Sequence, residues 1–195
     1  MSTRGAWGFR IGSQDKVTYN HFDSYLDGLG DCLVLDLRTR QRAHPEWLFQ
    51  LRAQAEQLQL VRGEDPPTPE QKAKLEPYAD LTVSNRSLDD WYCLLRTTQG
   101  NLNLTLTAGI MLDRREFLDD SLFCEYAYII NLDDETFEVY RGFQNAPHNR
   151  GRYSNADDRP AAGDSLYYAV AIVKTIPLKE LPDESLKTIV DPDDV

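Results

Sequence analysis

The sequence predicts an α+β fold, a layered and mostly antiparallel sheet that carries helices. Three observations point there. Two β-rich runs, 2–12 and 16–21, flank a polar turn at Ser13-Gln14-Asp15, and a second pair, 123–132 and 136–142, flanks Asp133-Asp134-Glu135. Apolar residues at helical spacing are concentrated between the two pairs.

The first run alternates: Trp7, Phe9 and Ile11 share the face that meets a core, and Ala6, Gly8 and Arg10 share the other. On its return Val17 and Tyr19 take one face, with His21 following them, and Thr18 and Asn20 take the opposite one. Gly28 and Gly30 precede a helix start at Asp31, a place where backbone N–H groups can be aimed at an anion. His44-Pro45-Glu46 opens a helix whose apolar residues, from Trp47 to Val61, recur every three or four positions to about Arg62. Residues 63–69 read as a loop, with Thr68 capping a short helix. Ser87 and Asp90 match a capping pair for a helix that should run to Gln99-Gly100. Residues 101–107 alternate as a strand or a short edge segment would. The run 166–176 is nearly all apolar, which predicts a strand buried on both faces at the centre of the sheet. Before it, the polar stretch 145–163 reads as a lid or a partner surface.

With 195 residues, 41% hydrophobic and 27% charged, the chain is sized for a single globular domain over 1–195, with 190–195 as a frayed acidic tail. A net charge of −11 argues against direct nucleic-acid binding, which depends on clustered Lys and Arg releasing counterions. The same charge suits a basic protein partner. Cys32, Cys93 and Cys124 each sit in an apolar run and have neither a disulfide pattern nor metal-ligand spacing. Buried free thiols in a cytoplasmic protein follow as the expectation, with no membrane segment, no metal and no cofactor.

Thr3-Arg4-Gly5, Gly8-Phe9-Arg10, Tyr19-Asn20-His21-Phe22-Asp23-Ser24-Tyr25 and Leu29-Gly30, followed by Cys124-Glu125-Tyr126-Ala127-Tyr128 and Asn131-Leu132-Asp133, resemble a family of uncharacterised bacterial and phage proteins. Its members share T-R-G-x-x-G-F-R and Y-N-H-x-D-S-Y elements. The likeness spans nearly the whole chain and implies no activity. A second resemblance, to the N-terminal-nucleophile hydrolase fold, implies small-amide hydrolysis. Ser2, exposed by removal of Met1, would be the nucleophile and its own amine the base, with Asn20, His21 and Asp23 beside it.

The candidate catalytic residues are therefore Ser2, Thr3, His21 and Asp23, and the candidate ligand-binding residues are Arg4, Asn20, Tyr25, Gly28 and Gly30. Each has two readings. His21 with Asp23 is an acid–base pair, or His21 is a hydrogen-bonded core residue. Arg4 grips a carboxylate or phosphate, or it is the counter-ion of Asp23. Two function classes stay open: an enzyme-like or degenerate domain acting on a small molecule, and a non-enzymatic acidic interaction protein, of a kind that would serve in phage–host conflict. Arg4, His21, Asp23 and Tyr25 are expected to meet at the open end of the first hairpin.

Overall fold

The computed structural model of the protein describes residues 3–154 and 166–190. In chain order the elements are β1 (Gly5–Ile11), β2 (Gln14–Asn20), α1 (Asp31–Ala43), α2 (Trp47–Glu56), β3 (Gln59–Val61), α3 (Pro69–Leu75), α4 (Trp91–Leu94), α5 (Leu102–Ala108), β4 (Ile110–Leu112), β5 (Tyr126–Asn131), β6 (Thr136–Arg141), β7 (Ala171–Pro177) and α6 (Leu186–Ile189). Five strands form a mixed sheet in the order β2-β1-β5-β6-β7, and β3 and β4 pair separately. β1 and β5 run parallel, and the other three pairings of the large sheet are antiparallel. The fold is α+β, as its patterning predicts.

β1 lies between β2 and β5, so both of its edges are hydrogen-bonded, and its two faces are covered by separate cores. Trp7, Phe9 and Ile11 join Tyr128, Ile130, Phe137 and Val139 against the inward stripes of α1 and α2, chiefly Leu33, Leu37, Trp47 and Leu51. Ala6 on the other face packs with Val17, Ala127, Ile129 and Tyr140 beneath Leu118 and Val170. A third cluster, Val61, Leu75, Trp91, Leu94, Leu95, Ala108 and Ile110, holds the β3–β4 pair to α3 and α4. The helices between the two hairpins therefore serve two cores.

Several elements differ from the sequence expectation, each for an identifiable reason. The first turn falls on Gly12 and Ser13, with φ of 57° and 61°. This is the left-handed pair of a type I′ turn, and it places Gln14 and Asp15 inside β2. The second helix stops at Glu56, short of Arg62, because the Lys16 ammonium on β2 donates to the carbonyls of Ala55, Glu56 and Leu58 (2.8–2.9 Å). A cation at a helix C-terminus satisfies the orphan carbonyls there. The residues beyond it are then released to pair as β3 with β4. Asp90, accepting from Tyr92 N–H, caps α4 in place of Ser87, and the helix closes after Leu94. Residues 102–108 are helical, not extended. Asn101 accepts from Leu104 N–H at one end, and Gly109 takes the left-handed φ of 68° at the other.

The last apolar run divides in two. Ala169 and Val170 cover the second face of the sheet, Val170 N–H donating to the Leu118 carbonyl, and only Ala171–Pro177 enters the ladder. β7 is consequently an edge strand, with Lys174 and Thr175 exposed, and β5 is central. Cys32 is also corrected. It lies on the solvent side of α1, and Cys93 and Cys124 are buried as expected. Ser2, residues 155–163 of the expected lid and the tail from 191 lie outside the described residues.

Candidate functional site

The open end of the first hairpin holds Arg4 and His21. The last paired residues of the ladder are Gly5 and Asn20, so Arg4 and His21 are the residues that flank its open end, and Arg4 is one of the charges felt at the His21 imidazole. The backbone before β1 is held on both sides. Thr3 is buried, with its carbonyl accepting from Ser24 N–H, and the Arg4 carbonyl accepts from Glu125 N–H. Asn20, also buried, donates from its amide to Ser24 Oγ at 2.8 Å and to the Phe22 carbonyl.

His21 Nδ1 lies 2.7 Å from the Tyr19 hydroxyl, and its ring meets those of Phe22 and Tyr92 edge-on. Partial burial, then Arg96 and then Arg4, hold its pKa below the ordinary histidine value, which favours the neutral imidazole. No ion pair joins Arg4 to Asp23 among the described residues. The Arg4 guanidinium lies over the Phe123 ring, 5.3 Å from its centroid, so its expected role as counter-ion to Asp23 is not what the structure contains.

The other candidates are distributed more widely. Asp23, exposed and with a left-handed φ of 52°, lines a recess of about 330 Å³ together with Asn20, Gly28, Arg96 and Gly100. Tyr25 is exposed and lines neither this recess nor the large cleft described below. Its carbonyl accepts from the N–H groups of Gly28 and Gly30, so those amides are turned inward. Arg4 and His21 are thus brought together, Asp23 joins Asn20 and Gly28, and Tyr25 contributes backbone.

A larger concavity among the described residues was not legible in the sequence. It is a cleft of about 1380 Å³ between the β2 edge and the unit built on β3, β4 and α4. Tyr19, Trp91, Tyr92, Leu95, Ile110, Met111 and Phe117 supply apolar lining, and Asp89, Asp90, Glu116, Asp119 and Asp120 supply carboxylates, against Arg114 as the basic residue of the wall. Desolvation, followed by Glu116, raises the Asp119 carboxyl above its usual range. Asp120 Oδ1 is shielded from solvent and meets no donor among the described residues. Tyr19 and Tyr92 contact His21 and also line this cleft, so the two regions share a wall. The signals that could have found the cleft are Asp89-Asp90, which reads in one dimension as part of a helix start, and the acidic run 113–120.

A second unanticipated feature is a polar network on the second face of the sheet, near the hairpin turns. Glu138 is 4% exposed, and its carboxylate accepts from Arg152 through both terminal nitrogens, from the Tyr140 hydroxyl and from the Asn131 amide, all at 2.6–2.9 Å. Arg152 also faces Asp15, which pairs with Arg10. Burial first, and the adjacent Glu138 next, push the Tyr140 phenol far above its ordinary value. This closed set satisfies its own donors and acceptors and serves the fold.

No helix among the described residues is long and apolar enough to cross a membrane. Comparison of the chain with protein-family models, curated proteins and solved structures finds no match in any of the three.

Proposed function

We propose that the protein is a binding domain whose large cleft receives a cationic, partly apolar segment of a protein partner. The observation that carries this reading is the lining: aromatic and aliphatic side chains with five carboxylate residues and one guanidinium, in which Asp89 pairs with Lys72 and Glu116 with Arg114 while Asp90, Asp119 and Asp120 have no cationic partner among the described residues. At about 1380 Å³ the cleft exceeds the roughly 300–1,000 Å³ typical of small-ligand pockets. Aromatic anchors give affinity at such surfaces, and charge complementarity gives orientation and encounter rate. The net charge of −11 works in the same direction over longer range.

Trp91 is the tryptophan that lines the cleft, and Trp7 and Trp47 are buried in the main core. Titration with a synthetic Lys/Leu amphipathic peptide should change Trp91 fluorescence, and a Glu/Leu peptide of the same length should not. The affinity should fall several-fold as salt rises through the range where the Debye length drops below about 10 Å. It should fall again in Asp119→Asn/Asp120→Asn. Equal response to both peptides would overturn the reading.

A second reading rests on the placement of the N-terminal strand. β1 enters the sheet between β2 and β5, so Thr3 and Arg4, the described residues before it, lie at the end of the hairpin that Asn20 and His21 also reach. This supports an N-terminal-nucleophile hydrolase in which Ser2 Oγ attacks an amide carbonyl as the free Ser2 amine takes the hydroxyl proton, the C–N bond breaks as that proton passes to the leaving amine, and water then hydrolyses the Ser2 ester. Thr3, buried and backbone-bonded, would position that residue and not react itself. The reading requires the working protein to begin at Ser2. Intact-mass measurement, with amide hydrolysis compared between the parent and Ser2→Ala, tests it: retained Met1, or unchanged turnover in the variant, rejects it.

A further inference from the structure

Beyond the cleft, the open end of the first hairpin collects positive charge in an acidic protein. Arg4 reaches this end from the residue before β1, and Arg96 reaches it from the turn after α4. The two are far apart in sequence, and the fold sets both around His21. Arg96 lies over the rings of Phe22 (5.2 Å) and Tyr92 (5.7 Å), the same two rings that flank the imidazole. Arg4 and His21 follow directly on Gly5 and Asn20, the last paired residues of the hairpin, and the Arg4 charge is felt at the imidazole.

Neither guanidinium has a carboxylate within ion-pair distance among the described residues. Arg4 Cζ is over Phe123, Arg96 donates from one terminal nitrogen to the neutral Gln99 amide oxygen, and Arg96 Nε is buried with no acceptor. Asp23 lines the small recess with Arg96 and makes no ion pair with it among the described residues, and the other acidic groups nearby act elsewhere or at longer range. The Glu125 carboxylate accepts from the Arg4 backbone N–H, and Asp80 feels Arg96 only as a weak charge. Stacking on a ring occupies the face of a guanidinium and leaves its N–H edge for an oxyanion.

We propose that Arg4 and Arg96, converging on His21, form a binding site for an oxyanion, a carboxylate or phosphate group carried by a small ligand or by a partner. The exposed Phe22 and Phe123 rings beside it offer an apolar surface for the rest of that molecule. The site is separate from the acidic wall of the cleft, so it can hold when the basic-segment reading fails and fail when that reading holds.

The probes are inorganic phosphate and acetate, read by NMR at the His21 ring, with His44 and His148 as internal references in this chain of three histidines. Among the described residues the charged and titratable groups set around His21 include Arg4, Arg96, Tyr19 and Tyr92, with Asp23 two positions along the chain. An anion bridging the guanidinium groups offsets their field and should raise the His21 titration midpoint by about one unit, with sodium chloride at matched ionic strength giving a smaller change. Arg4→Gln and Arg96→Gln should each raise the anion-free midpoint and remove the response to the probe. Amide spectra of both variants verify that they fold. A response to phosphate alone assigns the site to phosphate esters, and one to acetate alone assigns it to carboxylates. A response no larger than that to chloride, or one that survives in Arg4→Gln/Arg96→Gln, would overturn the proposal.

Discussion

Glu138 shows how much of this fold depends on a single side chain placed where charge is expensive. Its carboxylate is buried, and Arg152, whose side chain is 24% exposed, is its only cationic partner among the described residues. Replacing Arg152 by Met leaves the carboxylate with the Tyr140 and Asn131 donors and no counter-charge, and should cost about 3 kcal/mol in urea-induced unfolding. Adding Glu138→Leu to that variant should restore much of the loss, since a buried pair is often matched by apolar residues of similar volume. Arg4 is the opposite case. It is exposed and bound to a ring, so Arg4→Ala should change stability by no more than about 1 kcal/mol in the same assay, leaving it usable as a probe of ligand binding. A larger loss would return Arg4 to a structural role.

At the scale of elements, connections between turns and helix ends fix the register of the sheet. Asp133 accepts from the N–H groups of Gly12 (2.9 Å) and Ser13 (2.8 Å), so the turn of the second hairpin closes the turn of the first. The parallel β1–β5 pairing has no short loop of its own, and this bridge stands at its far end. Asp133→Ala should cost about 1–2 kcal/mol, comparable to the loss of a helix cap. The Ser13 N–H above all, with Gly12 and Arg52 after it, holds the Asp133 carboxyl below its ordinary value. A depressed carboxylate stabilises the fold above its unfolded pKa, near 3.9, and that contribution fades as pH falls through the lower folded value. The difference in stability between parent and Asp133→Ala should therefore shrink in acid below about pH 4. A gap that stays constant to pH 2 would show that the carboxylate charge is not involved.

For the whole molecule, the division into three apolar clusters predicts uneven stability. β1, β5 and β6 lie inside the large sheet with cover on both faces. The β3–β4 pair is three residues long and depends on the smaller cluster with α3 and α4. Amide hydrogen exchange should be slowest in β1, β5 and β6 and markedly faster in β3, β4 and α4, the unit that forms one wall of the cleft. Uniform protection across both would mean that the cleft wall is no more mobile than the core. Faster opening there is the behaviour expected of a surface that adjusts to a bound segment.

The sequence by itself determined the α+β class, the two hairpins, the inward face of β1 and the capped start of α3, because each depends on periodicity or on residues within a turn of one another. It also placed Arg4 and His21 at the open end of the first hairpin, since antiparallel pairing carries a local pattern across two strands, but the expected convergence of Asp23 and Tyr25 with them in one pocket is not what the described residues contain. Tertiary structure decided the rest. Lys16 ends α2 from another element, and an apolar run at 166–176 served two layers where a central strand was expected. The helix at 102–108 rests on the Asn101 cap and the left-handed Gly109, which alternation alone does not register. The acidic cleft, the Glu138–Arg152 pair and the approach of Arg96 to His21 each join residues from distant segments. Their chemistry comes from burial and distance, which folding sets and linear spacing does not record.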